Sequence, residues 1–164
     1  MIGMDGVTLP AGSSLSIFTA EERPDLWQRA APLFSGIWPE YNLHGNRSGE
    51  YFGQLVPRYA RFHLLLYDDA VDRIVGRGRA IPFRWDGSLA DLPTGIDAVG
   101  LRAVSDDSAP TAVSALAAEV EIDRQGEGLS RLIIQAMAAA TRAPNARRTR
   151  PVRVARGPDS TARS

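Results

Sequence analysis

Two glycines near the C-terminal end of the chain create the pattern with the clearest chemical meaning. The turn Gln125–Gly128 reads Gln-Gly-Glu-Gly and directly precedes a segment with helical spacing of its apolar residues. That segment carries one apolar stripe, formed by Leu129, Leu132, Ile133, Ala136, Met137 and Ala140. The first amides of a helix have no partner within it, and the helix dipole places partial positive charge there. The pattern therefore predicts an anion site suited to phosphate, although a plain glycine turn would also satisfy it.

Two common phosphate-binding loops do not fit this turn. A Walker loop requires a lysine, and the chain has none. A dinucleotide-binding fingerprint requires a third glycine where Arg131 stands, and no strand–helix–strand pattern follows the turn. Another kind of phosphate ligand is therefore indicated.

The spacing Gln125-x-x-Gly128-x-Ser130 resembles the Q/R-x-x-G-x-G/A motif of the GNAT superfamily of N-acetyltransferases. Ser130 departs from the usual Gly or Ala but is also small. The resemblance implies that the loop cradles the pyrophosphate of acetyl-coenzyme A (acetyl-CoA), and that the backbone of the preceding strand pairs with the pantetheine arm. The cofactor-binding residues it implies are Val120, Ile122, Gln125, Gly126, Glu127, Gly128, Leu129 and Ser130.

Acetyl transfer to an amine requires a base that removes a proton from the amine. Glu119 and Glu121 are the candidates, because both lie near the end of the strand before the loop and share one face at period two. The alternative is that both are ordinary solvent-facing strand residues. No general acid is assigned, and neither His44 nor His63 shows metal-ligand spacing, so no metal is expected. His63 suits a satisfied core histidine, while Trp38, Tyr41 and Trp85 could line an acceptor pocket.

The rest of the chain provides the elements that would hold this loop. Strands are predicted at 15–18, 61–67, 73–83 and 112–120, and the second and third form a hairpin. Helices are predicted from about 24 to 37, where Pro24 or a Thr19–Glu22 capping box starts the helix, from 48 to 56 before Pro57, and around 95–104. In the third strand, Gly76 and Gly78 alternate with arginines, which predicts one bare face that a helix or ligand can approach and one charged face that meets solvent.

The order of these elements is that of the first half of a GNAT domain. The resemblance implies an α/β fold with a mixed, mostly antiparallel sheet flanked by helices, over residues 1–142. The closing elements of such a domain cannot be read from 143–164, a segment with six arginines and one acid. We expect this tail to be disordered, the fold to be incomplete at its C-terminus, and an open sheet edge to favour pairing with another chain as a homodimer or aggregate.

Composition narrows the classes of partner and compartment. Formal net charge is zero and no cysteine is present, which fits a reducing cytoplasm and gives no general attraction to nucleic acid. No run of apolar residues has the length of a membrane-spanning helix. The arginine-rich tail could bind nucleic acid, but it lacks interleaved aromatic residues, so this function ranks low.

These observations lead to one expectation and one alternative. The expected function is a cytoplasmic enzyme that transfers an acetyl or other acyl group from acetyl-CoA to an amine on a small molecule or protein. The alternative is a catalytically inactive remnant of the same fold that binds acyl-CoA or another partner without turnover.

Overall fold

The computed structural model describes residues 7–34, 36 and 48–142 of the chain. Four strands, β1 Leu15–Thr19, β2 His63–Asp68, β3 Arg73–Phe83 and β4 Ala112–Val120, form one antiparallel sheet in the order β1-β2-β3-β4. The helices are α1 Pro24–Leu33, α2 Ser48–Arg58, α3 Ile96–Ser105 and α4 Leu129–Arg142. The predicted loop at 38–44 and the tail at 143–164 lie outside the described residues.

The strands agree closely with the sequence prediction. β3 and β4 have the predicted bounds, and β2 begins two residues late because Ala60–Phe62 form a 3-10 turn. Pro82 is tolerated in the central strand β3 because β2 already ends its pairing with β3 at Arg79, so no ladder bond is lost on that side. The pattern of apolar residues and the polar turn residues in the sequence were therefore sufficient to locate the strands of the sheet.

The start of α1 combines the two predicted signals. Pro24 occupies the first helical position and Arg23 is the cap residue, without a side-chain capping bond. The Thr19–Glu22 box also forms, with the Glu22 amide donating to Thr19 Oγ1 at 3.1 Å and the Thr19 amide donating to Glu22 Oε2 at 3.0 Å. It lies in the turn before the helix. The box therefore shapes the approach to α1, and proline sets its first residue.

Two predicted helix ends are wrong. α1 ends at Leu33, before the predicted Ile37, because Phe34 leaves the helical conformation and is buried. α2 continues through Pro57 to Arg58. Proline in the last turn removes only the bond to the carbonyl four residues earlier, and the Tyr59 amide still donates to the Leu55 carbonyl at 2.9 Å.

Helices cover both faces of the sheet. A Cβ atom at Gly76 would lie 2.8 Å from Ile133 Cδ1, and one at Gly78 would lie 2.7 Å from Ile133 Cγ2, so α4 packs directly on the glycine face. This confirms the predicted close approach. The opposite face packs on α1, where Leu26, Ala30 and Phe34 are buried against β2 and β3.

The charged face of β3 was predicted to meet solvent, and this is wrong for Arg77. Its exposure is 8%, because α1 covers it with the rings of Trp27 and Phe34. The coarse fold is therefore a mixed α/β arrangement with a four-stranded antiparallel sheet between helices. Among the described residues, no helix has both the length and the apolar character needed to cross a membrane.

Candidate functional site

The glycine turn lies between the end of β4 and the start of α4. A single 3-10 turn, Ile122–Arg124, leads from the strand into it. Gly126 and Gly128 have φ angles of 87° and 79°, which L side chains rarely adopt. Both positions open to space, since a Cβ atom there would have no neighbour within 4 Å. The two glycines therefore allow the positive φ angles of the turn, and no side chain blocks access to its outer side.

The amides of this turn are unpaired within the part of the chain that the structure describes. The first backbone bond of the helical segment runs from the Leu132 amide to the Gly128 carbonyl at 3.3 Å. No hydrogen bond between described residues uses the amides from Gly126 to Arg131 as donors. Six consecutive donors at the positive end of a 14-residue helix have the chemistry of an anion cradle.

The side chains of the turn divide into an inner and an outer group. Leu129 is buried and anchors the first turn of α4 in the core. Gln125 donates from Nε2 to the Val120 carbonyl at 3.4 Å, which ties the turn back to β4. Glu127 and Ser130 are exposed, and Ile122 is 75% exposed. The structure therefore brings together the residues that the sequence grouped as a cofactor site.

Arg124 holds the turn through ion pairs that sequence reasoning missed. Its Nε donates to both oxygens of Glu127 at 2.8 and 3.0 Å, and its NH1 donates to Asp68 Oδ2 at 3.0 Å. The pKa of Asp68 is lowered, first by the Ser14 hydroxyl and then by Arg124. The pKa of Arg124 is raised by Glu127 and Asp68. No local sequence signal links positions 68 and 124, because only the sheet brings them together.

Glu119, a candidate base, is buried with 2% exposure. Arg77, its partner in the β3–β4 register, binds it with two bonds, Nε to Oε2 at 2.7 Å and NH2 to Oε1 at 2.9 Å. Arg79 NH2 lies 3.4 Å from Oε1. The alternative that Glu119 faces solvent is therefore wrong, because α1 covers this face. Its carboxylate lies in an arrangement that stabilises an anion.

Glu121, the second candidate, lies just beyond β4. Its Oε2 is 3.0 Å from Arg73 Nε, without the alignment of a hydrogen bond, and the same arginine donates from NH2 to Asp123 at 2.8 Å. The Glu121 side chain is 16% exposed. Of the two glutamates, Glu121 has the less saturated carboxylate and the more exposed side chain.

The outer edge of β4 lies beside the same turn. The Glu121 amide donates inward to the Val75 carbonyl at 3.1 Å. Because antiparallel backbone groups alternate in direction, the groups of Val120 point away from β3, and its carbonyl indeed meets the side chain of Gln125. No described strand pairs with this edge. Its backbone groups are therefore available to a ligand or to another strand.

His63 and Trp85 were predicted from their residue types. His63 is fully buried beside Trp27, with ring centroids 5.2 Å apart, which confirms a core position. Within the described chain, however, neither of its ring nitrogens has a hydrogen-bond partner of ordinary geometry. Burial, followed by the charge of Arg79, lowers its pKa to about 4. Trp85 donates to the Ser88 carbonyl and contacts Thr111, so it lies at the end of β4 remote from the glycine turn.

Acidic side chains dominate the end of the sheet that carries the turn. The two segments that meet there, 68–73 and 121–127, carry six carboxylates and two arginines. The pairs Arg73–Asp123 and Arg124–Asp68 show that these segments are in contact. Cations are favoured around the turn, while the amides of the turn favour an anion.

Comparison with known proteins adds no family assignment. No protein-family model, no curated protein and no solved structure matches this chain. Functional inference therefore rests on the glycine turn, the ion pairs around it and the open edge of β4.

Proposed function

We propose that this chain binds acetyl-CoA, or a related acyl-CoA, at the turn between β4 and α4. The observation that carries the proposal is the row of amides from Gly126 to Arg131, which have no partner among the described residues, at the start of a 14-residue amphipathic helix. A pyrophosphate group is a suitable ligand for such a row, because it offers many acceptor oxygens and negative charge. The outward backbone groups of Val120, together with the backbone of Ile122 in the 3-10 turn that follows, would pair with the amide groups of the pantetheine arm.

We propose further that the bound acyl group is transferred to an amine. The acidic end of the sheet supports this acceptor, because it attracts a cationic amine to the neighbourhood of the turn. Glu121 is the better candidate for the base, since its side chain is 16% exposed and its Oε2 atom has no hydrogen-bond partner among the described residues. Glu119 would act instead as a buried anchor between β3 and β4, because Arg77 binds both of its oxygens.

The chemistry assigned to the chain is limited to binding and proton transfer. In the transfer, nitrogen of the amine forms a bond to the carbonyl carbon while the bond from that carbon to sulfur breaks. Glu121 would accept the proton that the cationic amine loses before it attacks, solvent would take the proton released as the amide forms, and the departing thiolate would take a proton from solvent. Holding the two reactants in line would supply much of the rate.

A second candidate function is acyl-CoA binding without turnover. The observation that favours it is the salt bridge of Glu119, which removes one of the two glutamates at the end of β4 from consideration as a free base. Binding and turnover are therefore tested separately.

Titration calorimetry with acetyl-CoA tests the binding step, using the wild type and Gly128→Asp. The substitution places a carboxylate in the row of amides, and aspartate tolerates positive φ better than most residues. Binding is expected in the wild type, and a loss of at least about tenfold is expected in the variant, from the added charge close to phosphate.

Gly87→Asp is the matched control for this experiment. Gly87 has a φ of 89°, open space around its Cβ position and an exposed location beyond β3, at the end of the sheet opposite the turn. The control therefore carries the same residue change and the same backbone strain. Equal binding losses in the two variants would contradict a site at Gly128, and absence of binding by a folded wild type would contradict the proposal itself.

Turnover is tested by release of free thiol from acetyl-CoA with polyamine and peptide amines as acceptors. Glu121→Gln is expected to lower kcat about 100-fold or more while leaving acetyl-CoA affinity within about twofold, the pattern of a lost general base. Binding by the wild type with no thiol release for any acceptor class would favour the function of binding alone.

The same open edge supports a proposal about assembly. We propose that β4 pairs with β4 of a second copy when no ligand occupies the edge, because no strand in the described part of the chain covers the outer edge of this nine-residue strand and such an edge attracts another strand. Analytical ultracentrifugation across a concentration series is expected to show a monomer–dimer equilibrium. A strictly monomeric chain at high concentration would contradict pairing. A cytoplasmic location also stays a prediction.

A further inference from the structure

Glu127 is an unusual residue for a turn that binds anions. It lies between the two left-handed glycines, within the row of amides that have no partner among the described residues, and its side chain is 45% exposed. A carboxylate at the start of a helix is attracted to the free amides and to the positive end of the dipole. Unless something restrains it, Glu127 would therefore compete with a phosphate ligand for the same donors.

Arg124 provides such a restraint in this structure. Its Nε lies 2.8 and 3.0 Å from the two Glu127 oxygens, so the carboxylate is held on the side of the preceding 3-10 turn. We propose that Arg124 is a positioning residue, which keeps the Glu127 carboxylate off the amides of the turn and leaves them free for a phosphate ligand. This inference rests on the acyl-CoA site proposed above.

The position of Arg124 is itself fixed by the sheet. Its NH1 binds Asp68 at the end of β2, and the other Asp68 oxygen accepts bonds from the Ser14 hydroxyl at 2.6 Å and from the Ala70 amide at 3.1 Å. The Arg124 side chain is only 20% exposed, and that of Asp68 only 10%. A partly buried guanidinium with a fixed second partner loses less entropy when it holds Glu127 than a free surface arginine would.

Two other roles for Arg124 make different predictions. If Arg124 bound the phosphate directly, its removal would weaken binding whether or not Glu127 were present. If it only maintained the shape of the turn, the effect would again be independent of Glu127. Restraint of Glu127 is the role that requires the effect of removing Arg124 to vanish when the Glu127 carboxylate is also removed.

A double-mutant cycle with acetyl-CoA as the probe tests this dependence by calorimetry, using full-length wild type, Arg124→Gln, Glu127→Gln and the double variant. Arg124→Gln is expected to weaken binding about tenfold, the order of one charge-assisted hydrogen bond. Glu127→Gln is expected to bind as tightly as the wild type or up to about threefold more tightly. The double variant is expected to match Glu127→Gln.

Arg102→Gln is the control for loss of an arginine. Arg102 binds Asp91 at 3.0 Å and the Arg84 carbonyl at 3.2 Å, and its side chain is 29% exposed, but it lies on α3 away from the turn. It is expected to leave acetyl-CoA affinity unchanged. A tenfold loss in the double variant, or no loss in Arg124→Gln, would overturn the positioning role. Absence of binding by the folded wild type would overturn the acyl-CoA site and this inference with it.

Discussion

The buried pair of Arg77 and Glu119 allows the sharpest test of the structure, through the substitution Glu119→Gln. Glutamine has nearly the shape of glutamate but no charge, so it leaves the guanidinium of Arg77 without its counter-ion. That guanidinium lies 5.5 Å from the ring centroid of Trp27 and 5.0 Å from that of Phe34, and Arg77 is 8% exposed. Water therefore has little access to compensate for the missing carboxylate.

The expected loss follows from the burial of both partners. Removing one partner of a buried ion pair costs about 3–5 kcal/mol, because the remaining charge stays desolvated. Glutamine can still accept one hydrogen bond from Arg77, which places the expected loss near the lower figure, about 3 kcal/mol. For a chain of this length the loss corresponds to a decrease in Tm of about 10 °C.

Urea unfolding of the wild type and Glu119→Gln measures this loss, and Glu127→Gln is the matched control. The Glu127 carboxylate is 45% exposed, so the control is expected to change the free energy of unfolding by no more than about 0.5 kcal/mol. The double substitution Arg77→Met with Glu119→Leu is expected to recover most of the loss, since no buried charge remains at these positions. A loss below about 1 kcal/mol in Glu119→Gln would refute the anchor role and return Glu119 to the list of candidate bases.

Two further predictions concern buried positions. His63 has a pKa of about 4 in the folded chain and an ordinary value near 6.5 when unfolded, so the unfolded state binds more protons between these values and stability falls as pH decreases from about 6.5 to 4. His63→Leu is expected to remove up to about 3 kcal/mol of this decrease, measured as the difference between the two pH–stability curves, and parallel curves would contradict it. Gly76→Ala is expected to cost about 1–3 kcal/mol in urea unfolding, because its Cβ atom would lie 2.8 Å from Ile133 Cδ1. Ile133→Val removes that atom and is expected to reduce the cost, whereas an unchanged cost would show that the Glu119 carbonyl, 3.2 Å away, is the obstacle.

Local sequence signals located most of the secondary structure. The prediction was right for β3, β4 and the start of α4. Each of these elements is marked by a pattern of neighbouring residues: apolar stretches next to a polar turn for the strands, and a glycine turn followed by helical spacing of apolar residues for α4. The same kind of signal misplaced the ends of α1 and α2. The end of α1 depends on tertiary packing, because Phe34 leaves the helix and is buried in the core. The end of α2 was misplaced because Pro57 costs only one hydrogen bond in the last turn and therefore does not end the helix.

Charged residues were less predictable than glycines. The face formed by Gly76 and Gly78 could be inferred from the sequence, because a glycine has no side chain and allows close approach whatever element packs against it. The burial of Arg77 could not, because it depends on α1 lying over β3 and on the register that places Glu119 opposite. Whether a charge is solvated or paired is a property of the assembled sheet.

For the candidate site, the sequence by itself determined the glycine turn, the amphipathic helix after it and the grouping of Gln125 to Ser130. These are contiguous residues, so backbone geometry and helix periodicity are enough to define them. Only the tertiary structure decided that Arg124 holds Glu127 and Asp68, that Glu119 is saturated by Arg77, and that the Glu121 carboxylate meets Arg73 without an aligned hydrogen bond. The physical reason is that three of the four contacts involved, Arg77–Glu119, Arg73–Glu121 and Arg124–Asp68, join residues 42 to 56 positions apart. Their existence depends on strand register and helix packing, which no short stretch of sequence contains.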